Sequence, residues 1–256
     1  MKKKFDEEIY FTPKQAAEYF NLSLSTVKNY IYAGKLKTLK TPGGHHRIRK
    51  GELLATLGDI FISEENKNRD DLFLIKICTG MLSVFKALGP IGNSLTLHSQ
   101  NVSILSSDIA KVLAMAGVDI KRIEIAGLVH DIGLIAVEKQ ILFKSDILTS
   151  QEYKLLKNHP LAGEEILSSI KELKDIVDIV GQHHERLDGN GYPKGLKDKE
   201  ILKAARIISI AEAYDSMTSA YSYKRPISKD EAITELMLCR GIQFDGEIVE
   251  VFTKII

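Results

Sequence analysis

Two cysteines, Cys78 and Cys239, are all that the chain contains. That excludes a disulfide framework, and a reducing cytoplasm is the expected compartment. No apolar run approaches the roughly 20 residues that a membrane-spanning helix needs, so no membrane is expected among the partners. The basic start, MKKKFDEEIY, has no apolar segment behind it and does not read as a secretory signal. No charge sign dominates either, with a formal net charge of +1. A chain of 256 residues, 44% hydrophobic and 27% charged, has material for a sizeable core, as one large domain or two modest ones.

The near-zero balance hides an asymmetry. Residues 1–57 carry eleven Lys/Arg against five Asp/Glu, a net of +6, which leaves −5 for the remainder. A small basic part beside a larger acidic part points to a polyanion as the partner of the small part. A solvated basic face would show the same balance, so local pattern has to decide.

That pattern starts at FTPKQAAEYF. Thr12, Pro13 and Gln15 make an N-cap, a proline at the first helical position and a capping-box partner. Ala16 and Phe20 fall one turn apart on one face. In the following NLSLSTVKNYIYAGKL, Ser23 can cap a second helix, Val27 and Ile31 make its apolar face, and Gly34 can close it. Lys28, Asn29 and Tyr32 then face outward. Two short helices joined by a tight turn form a helix-turn-helix. The next stretch, KLKTLKTPGGHHRIRK, places Pro42, Gly43 and Gly44 between two extended arms and reads as a hairpin. Its return arm carries His45, His46, Arg47 and Arg49, the makings of a wing on a phosphate backbone. A zinc site at His45–His46 is disfavoured, because no cysteine or carboxylate stands at ligand spacing.

These residues resemble the MerR-like and excisionase-like winged helix-turn-helix domains. The resemblance implies double-stranded DNA as partner, with Ser25, Thr26, Lys28, Asn29, His45, His46, Arg47 and Arg49 as contacts. His46 stands where such domains more often have arginine. A helical adaptor that binds protein remains the alternative, since winged units are reused.

A polar stretch, GDIFISEENKNRDD, reads as a linker. Behind it Leu74, Ile77, Met81, Val84 and Leu88 alternate in steps of three and four, like a short coiled-coil seam. Ile75, Cys78, Leu82 and Phe85 make a second stripe. A dimer helix and a core helix both fit; a homodimer would match paired DNA half-sites.

Five of the seven histidines lie beyond this point: His98, His130, His159, His183 and His184. His98 lies near the start of a helix. His130-Asp131 and His183-His184 each end one, and His159 precedes Pro160 after a segment capped by Thr149 and Glu152. Asp188-Gly189-Asn190-Gly191 reads as a tight turn, and Glu212 and Asp215 share a helix face. One histidine beside a helix end is ordinary packing. Five, two of them beside acids, point to metal, and imidazole with carboxylate but no thiolate suits Mn, Fe or Zn.

The motifs HDIG (130–133), HHERLDGNGYPKGL (183–196), ARIISIAEAYDSMTS and GIQFDGEIVEVF resemble the HD-GYP domains of the HD phosphohydrolases. The implied architecture is mainly α: a winged helix-turn-helix with a small β-hairpin wing over 1–57, a linker and connecting or dimerisation helix over 58–92, and an all-α HD-GYP domain over 93–256. The resemblance implies hydrolysis of cyclic di-GMP, or a related cyclic dinucleotide, to the linear dinucleotide or GMP. It implies two divalent ions, Fe or Mn, held by His98, His130, Asp131, His159, His183, His184 and Glu212, with Asp131 and His130 catalytic. Gly191, Tyr192, Pro193 and Lys224 would meet substrate.

Four departures from the family pattern stand out. Leu134 replaces the lysine of HD-x-G-Lys, Glu212 stands for an aspartate, Tyr221 and Ser222 replace Arg-Pro, and Ser94 offers no carboxylate for a third ion. The metal cage is complete while substrate cations are depleted. A phosphodiesterase and a catalytically weakened sensor that regulates transcription are therefore both carried forward, with a structural scaffold as a third option.

Overall fold

A computed structural model of the protein describes residues 10–19, 24–41, 43–49, 69–144, 146–219 and 225–256. The chain divides into two compact units, Met1–Ile75 and Lys76–Ile256.

The first unit contains β1 (Tyr10–Phe11), α1 (Pro13–Tyr19), α2 (Leu24–Tyr32), β2 (Leu39–Lys40) and β3 (His46–Arg49). The expected cap is present at α1: Gln15 donates its backbone N–H to Thr12 Oγ1 at 3.1 Å, and Thr12 N–H returns to Gln15 Oε1 at 3.0 Å. Ala16, Val27 and Ile31 are buried between the helices, with Ile48 of β3 beneath them. The wing expected as a two-arm hairpin is one strand larger. β3 lies between β2 and β1 in an antiparallel sheet, Tyr10 opposite Arg49 and Lys40 opposite His46. Tyr10–Phe11 has no alternation long enough to announce a strand; the exposed edge of β3 recruits it. Ser23, Phe20 and Pro42, expected to cap, to pack and to turn, lie outside the described residues, as do the side chains of Ser25, Thr26 and Asn29.

The described elements after residue 68 are all helical. They are α3 (Arg69–Ser83), a 3-10 turn (Val84–Leu88), α4 (Pro90–Val112), α5 (Gly117–Val129), a 3-10 turn (Ile132–Ala136), α6 (Lys139–Leu142), α7 (Ser150–Leu156) and α8 (His159–Ser168). Short 3-10 turns flank α9 (Lys174–Gln182), followed by α10 (Lys203–Thr218), α11 (Lys229–Leu238) and α12 (Gly246–Phe252). Of the two stripes on α3 and its extension, Ile75, Cys78, Leu82 and Phe85 are the buried one, while Val84 of the other is 44% exposed. No described helix is long and apolar enough to cross a membrane.

The core of the second unit is α4 packed on α5 and α10. Val102, Ile109, Ile123, Val129, Ile207 and Ile210 are buried along these contacts, each contributing about 1.5–3 kcal/mol relative to exposure. Tyr214 of α10 meets Phe252 of α12 edge-on, ring centroids 5.0 Å apart. The turn after α5 lies against α8. Gly133 permits this: a Cβ there would stand 1.9 Å from the His159 carbonyl oxygen and 2.6 Å from Gly163 N. The glycine of HDIG is thus the point at which two histidine-bearing segments come together.

Candidate metal centre

Three histidines reach the centre by the same local device. His130 follows the last turn of α5, His183 follows α9, and His159 follows the turn that closes α7. Each gives its Nδ1 to the backbone carbonyl three residues back: His130 to Gly127 at 2.8 Å, His159 to Leu156 at 2.9 Å, His183 to Val180. Carbonyls at a helix end lack intrahelical donors, so an imidazole N–H satisfies one. A carbonyl only accepts, so Nδ1 carries a proton and Nε2 is the nitrogen turned toward the centre.

His98 arrives differently. The sequence placed it near a helix start, but α4 begins at Pro90 and His98 lies in its interior. The apolar pattern continues N-terminally through residues that the sequence assigned to the connector. His98 Nδ1 meets Asp215 Oδ2 at 2.6 Å, and Asn101, one turn along α4, gives its amide to Asp215 Oδ1 at 2.7 Å.

All seven sequence-derived candidates for metal ligation converge. Asp131, His159, His183 and His184 form one group and His98, His130 and Glu212 another, the ligand atoms within each lying within 4.8 Å of one another. The Asp131 carboxylate stands between them. Its Oδ1 faces His159 Nε2 at 3.3 Å and His183 Nε2 at 4.0 Å, while its Oδ2 faces His130 Nε2 at 3.4 Å and His98 Nε2 at 3.9 Å. Glu212 Oε1 lies 3.5 Å from His184 Nε2.

The donors are set for a cation. His130 is fully buried and its Nε2 has no hydrogen-bond partner among the described residues. His159 Nε2 and His183 Nε2 face each other at 3.2 Å, and with both Nδ1 atoms protonated neither can donate. Burial holds His183 and His184 well below the usual imidazole range, in the neutral ligand form. Burial pulls His130 down too, but Asp131 outweighs it and raises this imidazole to about 9. Burial would raise the Asp131 carboxyl, yet His130 and His159 keep it well below the carboxylate range. Burial pushes Glu212 up to about 7 against the pull of His130. A pocket that stabilises positive charge at His130 and negative charge at Asp131 also favours a divalent ion among them.

The loop after His184 makes a wall of the centre. Tyr192 stacks on His184, centroids 4.6 Å apart, and Lys157 lies over the Tyr192 ring at 4.9 Å and the Tyr153 ring at 4.7 Å. Gly191 allows the turn: a Cβ would lie 2.4 Å from Arg186 N. The loop's anchor is Glu185, which the sequence reading passed over. Its carboxylate is 3% exposed and accepts the N–H groups of Lys194 (2.6 Å), Gly195 (3.1 Å) and Leu196 (3.0 Å). An acid between the histidine pair and a glycine-rich turn was the available signal. Asn101 was also missed; its i+3 spacing from His98 pointed to the same helix face.

Leu134 is 6% exposed, part of the core beside Gly133. Lys224, Tyr221 and Ser222 lie outside the described residues. In the wing, His46 Nδ1 is 2.6 Å from Thr38 Oγ1, Arg47 Nη1 donates to the His46 carbonyl at 3.0 Å, and Arg49 Nε donates to Tyr10 Oη at 3.1 Å. Lys28 and His45 are exposed.

Comparison with known proteins places these two parts. A helix-turn-helix domain model matches residues 10–57. A cyclic di-GMP phosphodiesterase of Thermotoga maritima is 33% identical over 218 residues, 82% of this chain and 58% of that protein. A 3'3'-cGAMP-specific phosphodiesterase of Vibrio cholerae is 34% identical over 168 residues, 65% of this chain and 36% of that protein. The chain spans 58%, 38% and 42% of three curated relatives. An HDG"Y"P protein from Bdellovibrio bacteriovorus shares the fold at a TM-score of 0.57 and 18% identity, over 84% of each chain. The HD domain model matches residues 92–248, from the start of α4 through the whole histidine cluster and into α12, and the chain belongs to that family.

Proposed function

We propose that the protein is a metal-dependent phosphodiesterase that opens a cyclic dinucleotide, cyclic di-GMP foremost, and is joined to a DNA-binding head. The observation that carries this reading is the division of Asp131, one oxygen toward each histidine group. The donor set fits two divalent ions, since neutral imidazoles and carboxylates without thiolate suit Fe or Mn. His159, His183, His184 and Asp131 Oδ1 would hold one; His98, His130, Glu212 and Asp131 Oδ2 would hold the other. Bound there, such ions would lower the pKa of a water and neutralise charge on a phosphodiester.

The chain's own groups do the rest. Asp131, acceptor on both oxygens, orients the attacking water. Tyr192 and the loop held by Glu185 cover His184 and limit where a nucleotide enters. Lys157 has no carboxylate partner among the described residues and lies one ring away from His184. It offers a cation to substrate phosphate that Leu134 does not. The relatives' names, cyclic di-GMP and cGAMP phosphodiesterases, support the substrate class. For the head, exposed Lys28 and His45 with the arginines of β3 support contact with DNA phosphate, and the half-exposed seam of α3 with its extension is available to a second copy.

The test is anaerobic incubation of Mn- or Fe-loaded protein with cyclic di-GMP, products followed by chromatography, beside the His130→Ala/Asp131→Ala variant. Turnover lost in that variant is expected. A folded, metal-loaded protein that hydrolyses nothing favours the second reading, a dinucleotide or metal sensor that regulates transcription, for which buried Leu134 is the supporting observation. Under either reading saturating ligand changes DNA affinity; identical affinities with and without ligand would count against coupling.

A further inference from the structure

We infer that Asp215 is a positioning residue that decides whether the cation position formed by His98, His130 and Glu212 can be filled. The inference rests on the dinuclear reading above and concerns one of its two positions. His130, His159 and His183 have their tautomers set by backbone carbonyls. A carbonyl cannot donate, so no substitution elsewhere reverses those tautomers. His98 sits inside α4, where the carbonyls behind it are engaged by the helix, and its Nδ1 is addressed by a side chain instead. That side chain is fully buried, and Asn101 holds its second oxygen. A buried carboxylate with two donors in place does not swing away. It therefore keeps the His98 proton on Nδ1 and leaves Nε2, 3.9 Å from Asp131 Oδ2, as a lone pair.

Asp215→Asn conserves shape and reverses this. Asn101 still needs an oxygen opposite its amide, so the new NH2 group faces His98 Nδ1. An NH2 group only donates, so the proton moves to Nε2, the nitrogen that should ligate. The same exchange traps the wrong histidine tautomer in a Ser-His-Asp triad.

The experiment is calorimetric titration of the chelator-stripped full chain with Mn2+, with electron paramagnetic resonance of the loaded samples and circular dichroism as a check of fold. Wild type is expected to take up two ions and show a spin-coupled pair. Asp215→Asn is expected to retain the first ion with unchanged affinity and to lose about 10- to 100-fold in the second, leaving an isolated-ion spectrum. A purely structural role would lower the melting temperature or weaken both ions alike. If Asp215→Asn does not fold, Asn101→Ala decides: it keeps the carboxylate but frees it, and the second affinity alone should fall several-fold. Two ions with unchanged or equally weakened affinities in a folded variant overturn the inference while the dinuclear reading stands. A wild type that binds fewer than two ions overturns that reading and this inference with it.

Discussion

The dipeptide His-His occurs at 45–46 and at 183–184, in opposite surroundings. In the wing His45 is exposed, and His46, at the head of β3, turns to the Thr38 hydroxyl and the edge of the Tyr32 ring, 6.3 Å away. At the end of α9 both rings stay together, centroids 4.2 Å apart, with His159 on one side and Tyr192 on the other. A strand sends neighbouring side chains to opposite faces, whereas helical neighbours are only about 100° apart. A histidine pair therefore makes half a metal site only where a helix end projects it toward a third donor. Among the described residues nothing acidic converges on the wing pair, and the wing's own charge is positive.

The comparison is broken most directly by removing both pairs in turn. His183→Ala/His184→Ala is expected to abolish high-affinity Mn2+ uptake and reduce hydrolysis by more than the roughly 10–100-fold that outer partners cost. His45→Ala/His46→Ala is expected to leave both unchanged; metal content and product chromatography decide. Equal metal content in the two variants would dissolve the distinction.

Next in size is the loop that covers the helix-end pair and has no counterpart in the wing. Glu185→Ala strands three loop N–H groups. At about 1–3 kcal/mol for a buried unsatisfied group, a stability loss of about 3 kcal/mol is expected in urea unfolding, with Glu185→Gln intermediate. A loss under about 0.5 kcal/mol would mean that water replaces the carboxylate.

On the wing side, Arg47→Ala is expected to weaken binding to all DNA sequences and lower the salt slope by about 1. An unchanged slope would remove Arg47 from the phosphate contacts. His46→Ala is expected to act through the lost Thr38 bond instead, lowering the melting temperature of the head.

The smallest effect concerns the cap upstream of His159. Lys144 first, then the Thr149 backbone, holds the half-buried Glu152 carboxyl down at about 2, below its ordinary 4.5. A depressed carboxyl stabilises the fold fully above its unfolded pKa, and the contribution is lost as pH falls from about 4.5 to about 2. Glu152→Gln is expected to flatten stability within that window alone; a change confined to neutral pH would refute this origin.

Much of the fold was legible because its signals are local. Thr12/Gln15 and Thr149/Glu152 both form capping interactions, and the apolar spacing identified α2 and α3. The ends of α5 and α9 fall at His130 and His183, as read from HDIG and the turn after HHER. β1 was not legible, because two residues carry no periodicity and pairing with β3 makes the strand. Nor was the N-terminal reach of α4, because its first turns looked like connector.

The sequence by itself determined which residues could ligate and that most of them stand at helix ends, since capping, periodicity and Nδ1-to-carbonyl geometry act within a few residues. Only the tertiary structure decided how they divide. Asp131 shares its oxygens between two groups, Asp215 reaches His98 from 117 residues away, and Gly133 lets two histidine segments meet. Such pairings depend on how α4, α5, α8 and α10 pack, and close packing of distant segments leaves no periodic trace in the chain.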